Sequence, residues 1–197
     1  MHDYPQLGDF EAHRNWMSIT LHRPISSWYE ELEDTIWWRI DYPPVAAYLS
    51  FFFGKIYNYW DPQALEVQNG YESESLKSYM RFTVLFVDLV FLFPPLVLLA
   101  KSIVGKQMWM FFLIITLFKP DVILIDHGHF QYNSLILGLI LAAFYLIKTK
   151  NYYLACVLYT IAVHSKQMAV YYALAFLGGL IGLTFSENKY NKAKVVV

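Results

Sequence analysis

Four short runs of the chain hold side chains able to move a proton or grip an anion. In GDFEAHRNW, residues 8–16, Asp9 is a candidate general base, able to take the proton of an incoming hydroxyl at the mouth of a membrane cavity. Its place after Gly8 also suits a helix N-cap, the carboxylate accepting from free N–H groups of the first turn, and one carboxylate can serve both ends. Glu11 is the neighbouring alternative. In DYPP, residues 41–44, the two prolines hold Asp41 rigidly at a turn, where capping is the simpler role. DHGHFQYN, residues 126–133, is the densest polar cluster of the apolar half and contributes His127, His129 and Gln131. Its His-x-His pair invites a metal, but further ligands are not announced, and hydrogen bonding to a substrate or a structural turn fits better. In the HSKQ turn, residues 164–167, Lys166 lies between apolar runs, so it either snorkels or meets an anion such as phosphate. Asp88 interrupts the apolar run VLFVDLVF, and Arg81 at its entrance either pairs with a phosphate or anchors the helix. Nucleophile elbows, phosphate-binding glycine loops and zinc motifs are absent from the sequence.

The elements that must position these groups belong to a membrane protein. Of 197 residues, 57% are hydrophobic and only 16% charged, too apolar for an ordinary water-soluble domain. Sixteen tyrosines and six tryptophans suit the headgroup level of a bilayer. A net charge of −1 and the lack of a basic stripe argue against nucleic acid as a partner. Cys156 is the single cysteine, which rules out an internal disulfide and a multi-cysteine metal site. The residues after Met1 lack a cleavable signal pattern, so internal spans or a further segment must direct insertion.

At about 20 apolar residues per span, the pattern predicts an all-α polytopic bundle with spans near 82–100, 107–125, 132–148, 152–165 and 168–185. Lys101, Lys106, Lys148, Lys150, Lys189, Lys192 and Lys194 occupy alternate breaks, which are therefore expected on the cytosolic side. The polar turns and the N-terminal segment then share the opposite face. Three regions follow: 1–80 as a loop on that face, 81–186 as the bundle, and 187–197 as a cytosolic lysine-rich tail or truncated loop. Within the first, Asp9–His22 is expected to be amphipathic and to end before Pro24, and Val45–Tyr57 to start at the double proline. Both are expected to lie flat at the membrane surface.

The runs GDFEAHRNWMSIT, DYPP, GYESESLKSYMRFTVLFVDL, LIDHGHFQYNSLILG and KQMAVYYALAF, in this order, resemble the endoplasmic-reticulum dolichyl-phosphate-glucose glucosyltransferases of N-glycosylation. GYES, Gly128 and KQM look like the branch that adds the first glucose to the lipid-linked oligosaccharide. The resemblance implies a GT-C type fold in the endoplasmic-reticulum membrane with a lumenal active face. It implies dolichyl phosphate glucose as donor, dolichyl-diphosphate-linked Man9GlcNAc2 as acceptor, an α-1,3 product formed with inversion, and membrane lipid as surroundings. By motif the general base falls on Asp9. Arg81, His129 and Lys166 are candidates for stabilising the leaving phosphate, with Glu11, Asp41, His127 and Gln131 as further substrate contacts. Neither metal, nucleotide nor other cofactor is required by such a donor. Members of the family have a membrane helix before GDFEA and several after the point where this chain stops, so part of the donor site is expected outside it. The alternatives are the second-glucose enzyme of the same pathway and a truncated, non-catalytic lipid-binding membrane protein.

Overall fold

The computed structural model describes residues 8–30, 38–66, 70–104, 108–120 and 122–195, with side chains as far as 185. The described residues are helical throughout, joined by turns. Helix α1 is Asp9–His22, α2 Pro44–Tyr57, α3 Glu74–Val87, α4 Phe93–Ile103, α5 Trp109–Leu117, α6 Asn133–Lys148, α7 Tyr152–Val163 and α8 Ala173–Val195. Local chemistry sets several of these boundaries. Pro44 begins α2, where a missing N–H leaves no bond unmade. The Ser73 hydroxyl accepts from Leu76 N at 3.2 Å to start α3, and Asn151 caps α7 through Leu154 N at 3.3 Å.

Helices α3 and α4 form one 30-residue run, Glu74–Ile103, joined through a π-helical turn at Asp88–Leu92. Pro94 and Pro95 follow that turn directly; neither can donate along the helix, and a widened turn absorbs the displaced carbonyls. Helix α6 crosses the run at the widened turn. A Cβ on Gly138 would fall on the Phe91 carbonyl, so only glycine allows this approach.

Among the described residues two helices are long and apolar enough to cross a membrane, Glu74–Ile103 and Gln167–Phe185, the latter starting as a 3-10 turn at Gln167–Tyr172. Helices α6 and α7 are apolar but shorter. The expected span at 107–125 is broken: α5 stops at Leu117, Pro120 cannot continue it, and a π turn occupies Val122–His127. Of the α5 side chains only Leu113 is buried.

The first helix departs most from expectation. It is not an amphipathic surface helix, because every residue from Phe10 to Thr20 is buried. Its polar side chains are satisfied inside: Glu11 and Arg14 form an ion pair that also binds Ala64 O, Glu66 O and Gly70 N. Helix α2 buries Ala47, Ser50, Phe53, Gly54 and Tyr57 and exposes Tyr48, Phe52 and Ile56, so its outer face is apolar, as an interfacial helix requires. Phe10, Met17, Phe53, Leu76, Met80, Ile136, Tyr159 and Phe176 belong to one core, which runs without a break across residue 80. Tyr159 stacks on Phe176 at 4.2 Å and donates to Ala169 O at 2.7 Å, tying α7 to the start of the last helix.

Candidate active site

At the N-terminal end of α1 an open cavity of about 290 Å³ is lined by Asp9, Ala12, His13, Trp16, Trp38, Arg39, Asp41, Tyr42 and Gln131. Asp9, Ala12, His13 and Trp16 recur at helical spacing, so one face of α1 makes one wall. Gly8, not Asp9, is the N-cap. Gly8 turns the chain through φ 59°, a left-handed value that favours glycine, and Asp9 makes no cap hydrogen bond. The Asp9 carboxylate is thereby left for the cavity, where Oδ2 accepts from Gln131 Nε2 at 2.9 Å.

From Gln131 the polar contacts continue inward. Lys166 Nζ donates to Gln131 Oε1 at 2.6 Å and to Asn133 Oδ1 at 2.8 Å, and it lies 4.7 Å from the centre of the Tyr42 ring. Tyr42 OH is 3.4 Å from Gln131 Oε1. Asn133 Nδ2 donates to Asp126 Oδ1 at 2.8 Å, and Asp126 Oδ2 accepts from Ser134 N and Ser134 Oγ, both at 2.8 Å. Burial pushes the Asp126 carboxyl above its ordinary range, against the opposing pull of the Ser134 and Asn133 bonds. The ammonium of Lys166 has three hydrogens; two are taken by carboxamide oxygens and its remaining side faces an aromatic ring. That engagement differs from the expected phosphate contact.

His13 lies edge-on to Trp16 at 4.8 Å and to Tyr132 at 5.0 Å. Burial, reinforced by the nearby Lys166 charge and opposed by Asp9, lowers its pKa to about 4, so the imidazole is neutral at physiological pH. Trp16 donates its indole N–H to Arg39 O at 3.0 Å and lies edge-on to Tyr42 at 4.9 Å, which ties the wall to the DYPP segment. Val45 N donates to His164 O at 2.9 Å, and Gln167 Nε2 to Asp41 O at 3.3 Å. The four polar runs of the sequence thus meet at one place.

Asp9, Asp41, Gln131 and Lys166 are brought together there, and the other expected contacts are not. Glu11 is enclosed with Arg14: Nη2 to Oε1 is 2.5 Å and Nε to Oε2 2.9 Å. Asn15 Nδ2 and Gly70 N also donate to Glu11 Oε1, and Arg14 Nη1 donates to Ala64 O. His127 Nε2 pairs with Asp88 Oδ2 at 2.7 Å. Arg81 is exposed, 5.9 Å from the Phe130 ring, and His129 is exposed. Among the described residues no group of three His, Cys, Asp or Glu is arranged to hold a metal ion. His13, Trp16, Trp38, Arg39 and Tyr42 line the cavity without having been singled out from sequence. The spacing 9, 12, 13, 16 was the available signal for the first two.

Over residues 3–196 the chain matches the ALG6, ALG8 glycosyltransferase family. It is 40% identical over 205 residues to the dolichyl pyrophosphate Man9GlcNAc2 alpha-1,3-glucosyltransferase of Saccharomyces cerevisiae, covering 98% of this chain and 37% of that protein. It is 42% identical over 188 residues to the probable enzyme of that name in Schizosaccharomyces pombe, covering 90% and 36%. Against the protein of that name in Pongo abelii the identity is 38% over 200 residues, covering 98% and 39%. The chain therefore spans less than two fifths of the length of these relatives. The matched stretch includes every wall of the cavity, and the chain belongs to the ALG6, ALG8 glycosyltransferase family.

Proposed function

We propose that this chain supplies the general base and the acceptor cavity of a membrane α-1,3-glucosyltransferase, which moves glucose from dolichyl phosphate glucose to dolichyl-diphosphate-linked Man9GlcNAc2. The observation that carries this is the Asp9 carboxylate, directed into an aromatic-walled cavity by Gln131 of the HFQYN run. The names of the relatives supply the acceptor. The motifs support the donor, the first-glucose specificity and the endoplasmic-reticulum membrane, and the apolar runs with the lysine pattern support the multi-pass arrangement and the lumenal orientation.

In this mechanism the terminal mannose enters between Trp16, Trp38 and Tyr42, whose ring faces suit the apolar face of a sugar while Asp41 and Arg39 bind hydroxyls. The mannose 3-hydroxyl oxygen attacks the glucose C1 from the side opposite the phosphate. As the new C–O bond forms, the C1–phosphate oxygen bond breaks and its electron pair leaves with dolichyl phosphate. The hydroxyl proton passes to Asp9. A single displacement converts a β-linked donor to an α-linked product. The departing phosphate needs cations or hydrogen-bond donors; Arg81 and His129 are exposed and suited to it by chemistry.

Asp9→Asn keeps the size of the side chain and removes the base. In microsomes carrying the complete protein, glucose transfer is expected to fall about 10²- to 10⁴-fold at unchanged protein level. Retained transfer would refute Asp9 as the base. Preference for an acceptor that already carries one glucose would overturn the first-glucose assignment.

A further inference from the structure

The cluster inward of Asp9 has a fixed polarity. Asp126 presents two oxygens that both accept, from Asn133 Nδ2 on one side and from Ser134 on the other. Lys166 presents only donors. The Asn133 carboxamide between them has a single orientation that satisfies both, amide nitrogen to Asp126 and oxygen to Lys166. The same logic repeats once more. Lys166 takes the oxygen of Gln131, which forces the Gln131 NH2 toward the Asp9 carboxylate. The order is acid, amide, cation, amide, acid, and reversing either amide sets donor against donor.

We propose that Asp126 and Asn133 are positioning residues for the transfer reaction: through Lys166 they fix the orientation of Gln131 and thereby aim the Asp9 carboxylate into the cavity. The inference rests on Asp9 being the base. Lys166 then serves as the hub of the relay, with its donors spent on two carboxamides, and not as a ligand of the donor phosphate. Asp126 is itself only 3% exposed and does not line the cavity, so its influence on the reaction runs through the relay.

The polarity argument makes a reciprocal exchange diagnostic. In Asp126→Asn the new amide keeps its oxygen for Ser134 and turns its NH2 toward Asn133. Asn133 must then reverse and present its own NH2 to Lys166, which breaks the relay. In the double variant Asp126→Asn/Asn133→Asp the new amide donates to the new carboxylate, which again accepts from Lys166. Every donor and acceptor is matched once more, at the same net charge.

The test uses the complete protein in microsomes, with radiolabelled dolichyl phosphate glucose and Man9GlcNAc2-diphosphate-dolichol, and measures kcat and KM for each substrate beside protein level. Asp126→Asn is expected to lower kcat on the order of 10- to 100-fold, as misplacement of a reacting group does. KM for both substrates is expected to stay within about twofold. The exchange variant is expected to recover most of the lost kcat. Unchanged kcat in Asp126→Asn, or an exchange variant that accumulates normally but is no more active than Asp126→Asn, would overturn the proposal. So would a raised donor KM in Lys166→Arg at unchanged kcat, which would make Lys166 a phosphate ligand. If neither Asp126→Asn nor the exchange variant accumulates, the cluster is a folding element and the proposal also falls. Asp9→Asn, assayed in parallel, reports separately on the base: activity there removes the underlying mechanism, whereas an inactive Asp9→Asn beside a fully active Asp126→Asn removes only the relay.

Discussion

Glu11 and Arg14 set up a sharp test of whether the first helix is a buried structural element. Both side chains are almost wholly enclosed, and the pair is bidentate. Glu11 Oε1 accepts from Arg14, Asn15 and Gly70 N, and Oε2 accepts from Arg14 Nε. In Glu11→Gln one oxygen becomes an NH2. The orientation that keeps the three-donor site satisfied turns that NH2 onto Arg14 Nε, leaving a buried guanidinium without its counter-charge. Breaking a buried pair from one side costs about 3–5 kcal/mol. For a domain of this size each kcal/mol moves Tm by about 2–4 °C, so a fall of about 6–20 °C is expected. The assay is thermal unfolding of the detergent-solubilised protein. The double variant Glu11→Leu/Arg14→Met leaves neither charge buried and is expected to cost less than the two single changes together, by about 2 kcal/mol or more. A Glu11→Gln protein melting within about 2 °C of the parent would refute the reasoning. A normal Tm with lost glucose transfer would return Glu11 to the substrate.

Two further outcomes follow from packing and burial. Gly138→Ala places a methyl group on the Phe91 carbonyl at the α6 crossing and is expected to cost about 3 kcal/mol or more, or to prevent accumulation. Gly178→Ala meets no atom within 4 Å and is expected to be neutral or stabilising by up to about 1 kcal/mol; melting curves of the two variants check the contrast. His13 stays unprotonated in the folded protein to about pH 4, against an ordinary value of 6.5. Between those values the unfolded chain binds the extra proton, so stability rises with pH there and is unaffected above it. The loss on acidification reaches about 3 kcal/mol by pH 4. His13→Phe should remove that component from the pH dependence of unfolding; an unaltered dependence would refute it.

The bounds of α1 and the start of α2 were well marked along the chain because their causes are local. Gly8 and Pro24 bracket α1, Pro43 and Pro44 start α2, and α1 matches the expected range residue for residue. Helix length and burial were less legible. The apolar run at 107–125 read as one span, but Pro120 ends α5 early, and hydropathy carries no term for a missing N–H. Polar residues in α1 read as a solvated face because a periodicity argument sees only the helix itself. What neutralises Glu11 and Arg14 includes Ala64 O and Gly70 N, 50 and 59 positions away in sequence.

Taken alone, the sequence determined the apolar all-α class, the polar runs and their order. Through the motifs it also determined the family. Membership in a membrane glycosyltransferase family of the GT-C type agrees with that class. Only the tertiary structure decided how the runs meet. Asp9 finds Gln131 across 122 positions, and Lys166 reaches Gln131 and Asn133 across 35 and 33. The physical reason is that hydrogen-bond polarity belongs to contacts. An amide between an acid and an ammonium has one permitted orientation, but which acid and which ammonium it faces is settled by the packing of α1, α6 and the turn before the last helix.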